Sequence, residues 1–477
     1  MLRPGHYFVL RDASGSMSIQ YLPADVPVVS KRKRRRLDKG DSIADEEPKT
    51  TLRFGKYLIP VDLISDQPFG SSFRLENGVW SRRKPLLSVD ELLSKDEDEE
   101  AKDDEDDFDN RDICDDNTSQ SVSYDDVERL KRDGLCAEEL TRLLAEGSKS
   151  FEKKGVFGRE KYLLKKLKKY IQQITILPPS VYNVGLAYMR RDDGAKIAGL
   201  RPDYLGMILA LGNVQSGKRV MVYDHSLGLL TGAVAIRLAG RGVLYRVSQR
   251  GISNKIVDEV EVMPEQKSII KELPLSVVTR ALDTPLSNDN HRNYCFDDAW
   301  FEQRIPDSTR SIAEDPTADP EHRARAQHHM ENGRLRKARR EQEWLDLAVT
   351  GGCDALVGTI SFPSACRASE SIPRNRSDVP PAIRLAELLA DVANRFVQPD
   401  GRVVLFCQHM APLAVVQAML SRSLDWVGVR LEEVFLRPQQ IAPMRTHPIM
   451  KNSERLFSGF LVSAIRVASG FTNEQPK

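Results

Sequence analysis

The sequence predicts an α/β plus all-β chain: an N-terminal small β-barrel, linking helices, and a C-terminal Rossmann-like domain. Three observations predict it. Short aromatic and β-branched runs, broken by Gly, Pro, Asn and Asp, crowd residues 1–95. Apolar strand-like runs alternate with helical patterns over 174–470. The last two such runs, VRLEEVFLR and FSGFLVSAIRV, have no helical pattern between them and read as an antiparallel pair closing the sheet. At 477 residues the chain holds two large domains or about three ordinary ones.

In the first domain the strands are HYFVL (6–10), SMSIQYL (16–22), LRFGKYLIPVDLI (52–64) and SSFRLENGVW (71–80), with turns at Phe69-Gly70 and Asn77-Gly78. Two insertions interrupt the β pattern. KRKRRR (31–36) packs six like charges into a polar loop, so it is exposed. It reads as a nuclear-import signal or a phosphate-contacting loop, the plain alternative being a solubilising loop; the import reading places the chain in the nucleus. The second insertion runs from Lys84 through an acidic tract (96–122) whose low apolar content predicts disorder. Residues 96–116 hold 14 acids and 2 bases, a sum of −12; against a net charge of +1 this leaves +13 on the other 456 residues. A basic body with one acidic tether suits a nucleic-acid binder, and a solvated loop without a partner is the plain alternative.

A helical, basic linker follows over 123–173. Ser123 with Asp126 is a capping-box pattern, Gly134 ends the first helix, and a second runs from Ala137 to Ala145 before Gly147. KSFEKKGVFGREKYLLKKLKKY (149–170) carries nine bases and two acids. As a helix it puts Leu163, Leu167 and Tyr170 on one face and Lys161, Lys165 and Lys168 on another, about 200° away, with Lys166 and Lys169 widening the stripe. Too few acids are present for i,i+4 pairing, so the row of ammonium groups suits phosphates. An ordinary exposed amphipathic helix is the alternative.

From 174 the α/β pattern begins. Ser180–Met189 is a helix, and Pro202 opens another that ends near Gly212-Asn213. RVMVY (219–223), the helix LLTGAVAIRLAG and VLYRV (243–247) form a βαβ unit of the dinucleotide-binding type. Residues 284–340 read as a polar, partly disordered insertion ending in a basic helix, ENGRLRKARR. The alternation then resumes with EWLDLAV (helix), ALVGTI (355–360, strand), IRLAELLADVANRF (helix), VVLFCQ (403–408, strand) and LAVVQAMLSR (helix). A mostly parallel sheet closed by a late antiparallel pair matches S-adenosylmethionine-dependent methyltransferases better than dehydrogenases, an inference by analogy.

The cofactor loop is degenerate. Such a site needs glycines in the first βα loop and a carboxylate at the end of the second strand. The loop here reads Asp224-His225-Ser226-Leu227-Gly228-Leu229-Leu230, with one glycine, and the second strand ends Val247-Ser248-Gln249-Arg250, with no carboxylate. The expectation is that the fold is kept and the cofactor lost, with Asp224 and His225 in structural roles. No Walker loop, G-x-S-x-G or metal-ligand cluster occurs, and His328-His329 lies in the polar insertion. The six cysteines are scattered without C-x-x-C, which fits a reducing compartment. No apolar run reaches the ~18 residues of a membrane span, and the N-terminus lacks signal-peptide architecture.

Several strings resemble one family: VDLISDQPFGSSFRLENG (61–78), the segment from DDNTSQ through KYLLKKLKKY (115–170), ITILPPSVYN (174–183), LRPDYLGMILALGNV (200–214), and PMRTHPIM before GFLVSAIRV (443–467). The chain resembles the non-catalytic subunit of the eukaryotic tRNA (adenine-58-N1)-methyltransferase. The KRKRRR loop, the length of the acidic tract and the 284–340 insertion depart from that pattern. The resemblance implies a subunit with no catalytic and no cofactor-binding residues of its own. It implies a paralogous catalytic partner that binds S-adenosylmethionine, in an assembly of two catalytic and two non-catalytic subunits acting on the tRNA T-loop. Lys161, Lys165, Lys166, Lys168 and Lys169 are the candidate RNA contacts. Arg445 and His447, in the late hairpin turn, are candidates for RNA or partner contact, or a structural turn. Tyr162 and Tyr170 are candidates for base stacking or core packing. Two other readings remain open here: an active methyltransferase with an unusual loop, and an RNA-binding scaffold in translation initiation.

Overall fold

The computed structural model describes residues 1–24, 51–76, 78–83, 120–151, 154, 156–249, 252–282, 307–349, 351–361, 379–436, 439–442, 445–448 and 459–468. The KRKRRR loop and the acidic stretch through residue 119 lie outside the described residues. Contacts divide the chain into two compact units: Met1–Arg191 with Pro438–Met450, and Asp192–Arg437 with Lys451–Lys477.

The first unit is built on an antiparallel sheet. Its strands are β1 (Tyr7–Asp12), β2 (Met17–Tyr21), β5 (Ser72–Glu76), β6 (Val79–Arg83) and β7 (Gln173–Leu177), in the order β2-β1-β7-β5-β6. A separate hairpin, β3 (Thr51–Phe54) with β4 (Tyr57–Pro60), leads into a short helix α1 (Val61–Ile64). The expected barrel is corrected to an open sheet: among the described residues β2 and β6 do not pair with each other. The β3–β4 hairpin supplies core side chains without closing the ladder. Phe54, Tyr57 and Ile59 share one core with Phe8, Phe73 and Ile174, and the Trp80 indole donates to the Leu58 carbonyl at 3.0 Å.

The start of the second domain also shifts from the expected 174. Strand β7 sits centrally between β1 and β5, with Ile174 and Ile176 fully buried, so it belongs to the first unit. The linker helices join that unit as well. They are α2 (Tyr124–Arg132), α3 (Ala137–Glu146) and α4 (Val156–Tyr170), followed by α5 (Val181–Asp192). The Ser123–Asp126 capping box forms as expected, and Arg74 of β5 bonds Glu138 of α3 at 2.5 Å.

In the second unit, α6 (Pro202–Leu211) precedes a seven-stranded sheet. The strands are β8 (Arg219–Tyr223), β9 (Val243–Ser248), β10 (Ile270–Pro274), β11 (Cys353–Ile360), β12 (Val397–Cys407), β13 (Trp426–Glu433) and β16 (Phe460–Arg466). Their order is β10-β9-β8-β11-β12-β16-β13, parallel except for β16, which is antiparallel to both neighbours. This is a doubly wound, mostly parallel sheet, and its order reverses between β8 and β11. Helix α7 (Leu229–Leu238) crosses from β8 to β9, and α8 (Ile256–Glu259), α9 (Pro264–Ser268) and α10 (Leu275–Leu282) flank β10. In the expected insertion, α11 (Asp307–Glu314) is followed by α12 (Pro320–Val349), one helix of 30 residues that continues into EWLDLAV. Trp344 and Leu347 anchor α12 in the core, the indole edge-on to Phe396 at 5.7 Å. Helices α13 (Pro381–Phe396) and α14 (Met410–Arg422) complete this unit. Between β13 and β16 the chain forms a hairpin of β14 (Gln439–Ala442) and β15 (Arg445–Pro448), which clusters with the first unit.

Candidate functional site

In a doubly wound sheet, ligands bind outside the carboxyl ends of the strands where the order reverses. Here that place lies between β8 and β11, and the chain's own groups stitch it together. The His225 N–H donates to the Thr359 hydroxyl at 2.9 Å, and the Ser361 N–H donates to His225 Nδ1 at 3.0 Å. Because Nδ1 accepts, the neutral ring carries its proton on Nε2. That proton points to the Tyr223 hydroxyl at 2.8 Å, which in turn donates to Gln249 Oε1 at 2.6 Å. The relay is buried throughout, and burial pushes the Tyr223 phenol far above its ordinary value, so it remains a donor.

Asp224 is spent on its own loop. Oδ1 accepts from the Ser226 amide and hydroxyl, both at 2.6 Å, while Oδ2 accepts from the Thr231 amide at 2.8 Å and hydroxyl at 2.7 Å. Oδ1 thus holds the loop on itself, and Oδ2 ties it to the first turn of α7. Leu227, with φ of 56°, and Gly228, with φ of 93°, turn the chain into that helix. A Cβ placed on Gly228 would meet Asn254 Oδ1 at 2.5 Å and the Asn254 carbonyl at 3.0 Å. The Ile256 N–H donates to the Leu227 carbonyl at 3.0 Å, so the 254–256 segment lies on the loop.

These residues do not fit S-adenosylmethionine. Asn254 occupies the cradle a ligand would share with Gly228. At the end of β9 stands an amide, Gln249, whose oxygen is already engaged. Sequence reasoning found the missing glycines and carboxylate. It missed Asn254, which acts from a different loop and carries no pattern of its own.

The second candidate site is on α4. Leu163 and Leu167 are buried, and Tyr170 is half-buried against Val127, Leu140 and Leu144. Lys161, Lys165, Lys168 and Lys169 are exposed, as the helical phase predicts, while Lys166 is half-buried. Burial, and then the ammonium groups of Lys169 and Lys165, holds Lys166 below the ordinary lysine value. Its Nζ lies 5.2 Å from the Tyr162 ring centroid. Tyr170 is approached by two ammonium groups, Lys169 at 5.3 Å and Lys131 of α2 at 5.1 Å. Lys131, absent from the sequence-derived set, extends the basic surface onto a second helix while also bonding Glu128 at 2.6 Å. The Tyr162 hydroxyl donates to the Leu144 carbonyl at 3.1 Å, a packing role for that ring. Arg445 and His447 fall on β15, opposite Ala442 and Gln440 of β14; their side chains lie outside the description. Among the described residues no group of His, Cys, Asp and Glu is placed to hold a metal ion, and no helix is long and apolar enough to cross a membrane.

Comparison with known proteins adds the family. The Gcd10p family matches residues 38–340. A mouse protein named tRNA (adenine(58)-N(1))-methyltransferase non-catalytic subunit TRM6 is 27% identical over 452 residues, covering 89% of this chain and 85% of its own. Proteins of the same name from Dictyostelium discoideum and Schizosaccharomyces pombe are 24% and 26% identical, covering 87% and 90% of this chain and 74% and 88% of their own. Among solved structures, the tRNA (m1A58) methyltransferase TrmI of Aquifex aeolicus aligns with a TM-score of 0.40 at 8% identity, over 98% of this chain and 99% of its own.

Proposed function

The chain belongs to the Gcd10p family, and from that premise we propose that it is the non-catalytic, tRNA-binding subunit of the complex that methylates N1 of adenine 58 in tRNA. The observation that carries this reading is His225, which bridges Thr359 and Ser361 across the switch point where a methyl donor would otherwise settle. A paralogous chain supplies S-adenosylmethionine and the chemistry, in an assembly of two subunits of each kind, and the KRKRRR loop directs this chain to the nucleus. Methylating a stacked T-loop adenine requires taking the base out of its stack, a deformation offset by phosphate contacts over a wide surface. A subunit freed from cofactor binding contributes such surface, with Lys161, Lys165, Lys166, Lys168 and Lys169 as its first contacts and Arg445 and His447 as secondary ones.

Co-expression with the catalytic paralogue tests the reading. Methyl transfer to tRNA is expected from the pair and not from this chain alone. Calorimetric titration of S-adenosylmethionine into the isolated chain should register no micromolar binding; binding at that level, or transfer by this chain alone, would overturn the assignment.

A further inference from the structure

The helices of the first unit treat their cations in two ways. On α2, Arg129 bonds Asp126 at 2.9 Å and Lys131 bonds Glu128 at 2.6 Å, each one turn back. On α4, six bases stand against one acid, Glu160. Among the described residues Lys161, Lys165, Lys166, Lys168 and Lys169 have no carboxylate partner; the ion pairs of this unit fall on Arg74, Arg83, Arg129 and Lys131. Lys161, Lys165 and Lys169 follow one another at i,i+4 spacing, where like charges destabilise a helix unless an anion neutralises them.

The two helices meet at Tyr170, the last residue of α4, whose ring packs against Val127 and Leu130 of α2. Lys169 Nζ lies 5.3 Å from the ring centroid and Lys131 Nζ 5.1 Å from it. Cation–π attraction thus holds ammonium groups from two helices beside one ring. A base laid on that ring would have to displace at least one of them, so Tyr170 serves as a platform for cations. Glu128 Oε1 adds a second observation: an oxyanion already reaches Lys131 at 2.6 Å while the ammonium group stays over the ring.

We propose that Lys131 and Lys169 form a seat for one RNA phosphate beside Tyr170, with the Glu128 carboxylate holding the Lys131 side of it until RNA displaces it. The inference deepens the tRNA-binding reading and rests on it. The stripe on α4 gains an end on α2, and the contact made there is to the backbone, which carries no base sequence.

The test titrates tRNA into the full chain across a range of salt. Lys131→Ala and Lys169→Ala should each weaken binding severalfold. The double variant should lower the slope of log affinity against log salt by about 0.7–0.9 in total, the share of one phosphate. An unchanged slope, or a loss of twice that size, overturns the shared seat. Glu128→Gln separates a phosphate contact from a structural ion pair. If Lys131 only paired Glu128 within α2, removing either partner would act alike. A phosphate seat makes the two changes act oppositely, so Glu128→Gln should tighten tRNA binding severalfold; unchanged or weaker binding overturns the proposal. A wild-type chain that binds no tRNA refutes the functional reading instead. Acylation of Lys131 and Lys169 with and without inorganic phosphate, read by mass spectrometry, then judges the seat alone: protection of both lysines upholds it, and its absence ends it.

Discussion

The side chain of Asn254 fills the space beside Gly228, its Oδ1 lying 2.5 Å from where a Cβ on that glycine would stand. In an active relative of this fold, glycine at such a place lets a ligand approach the backbone. Here the chain approaches itself. Glycine suits this position because of the φ of 93° and the contact with Asn254.

Restoring the missing carboxylate should therefore not restore the site. In Gln249→Glu, a carboxylate replaces the amide that accepts from the Tyr223 hydroxyl, in a buried place with no cation among its described partners. Burying it should cost about 1–3 kcal/mol. Thermal unfolding should register the loss, and calorimetry should detect no gain in S-adenosylmethionine affinity. Binding in this variant would mean that Asn254 yields easily and that the pocket is merely closed.

Asp224 offers a cleaner separation of stability from function. Asp224→Asn keeps the shape but aims an amide N–H₂ at one of two donor pairs, Ser226 or Thr231. Charge-assisted bonds contribute about 1.5–3 kcal/mol each, so a total loss of about 3 kcal/mol is expected from denaturant titration. Affinity for tRNA, measured well below the melting temperature, should stay within twofold of the parent.

Much of the architecture was legible because local chemistry and tertiary structure agree. Ser123 caps its helix, Pro202 opens α6 at its first turn, and the lysine and leucine faces of α4 separate as a 3.6-residue repeat requires. Other features were hidden for physical reasons. The run QITIL announces a buried strand but not which sheet receives it, and it pairs with β1 and β5 across more than a hundred residues of sequence. IKELP is too polar to read as a strand; it forms the sheet edge at β10. The β14–β15 hairpin lies in a Pro-rich stretch that composition reads as turn. At the cofactor loop, the missing residues could be counted, but the groups filling their place come from three other segments.

Two buried thiols give a test of the second unit's core. Burial pushes Cys353 up to about 12 and Cys407 up to about 11, whereas Cys136 at the start of α3 is only partly buried, with a smaller upward shift led by the same cause. Thiolate is the reactive form. Among these three described cysteines, pulse alkylation at pH 8 followed by mass spectrometry should label Cys136 first, and Cys353 and Cys407 only after denaturant is added. Early labelling of Cys407 would mean that the β12 end opens in the native state.

The basic helix makes two linked predictions. Each phosphate contact contributes about 0.7–0.9 to the slope of log affinity against log salt, so changing Lys165, Lys166, Lys168 and Lys169 to Ala should weaken tRNA binding and reduce that slope by up to about 3. An unchanged slope would remove α4 from the interface. Lys166 adds a pH signature. Because its folded value is lowered, it is expected to release its proton below the ordinary lysine range as pH rises. Phosphate favours the charged form, so affinity should fall as Lys166 loses its proton at alkaline pH, and Lys166→Arg, permanently charged, should delay that fall. For folding the sign is opposite: the unfolded chain holds this proton more tightly, so raising pH through the folded value relieves a cost. Affinity falling with pH while stability rises would place the titrating group on the RNA-facing side of α4; parallel changes in both would assign the pH effect to the fold.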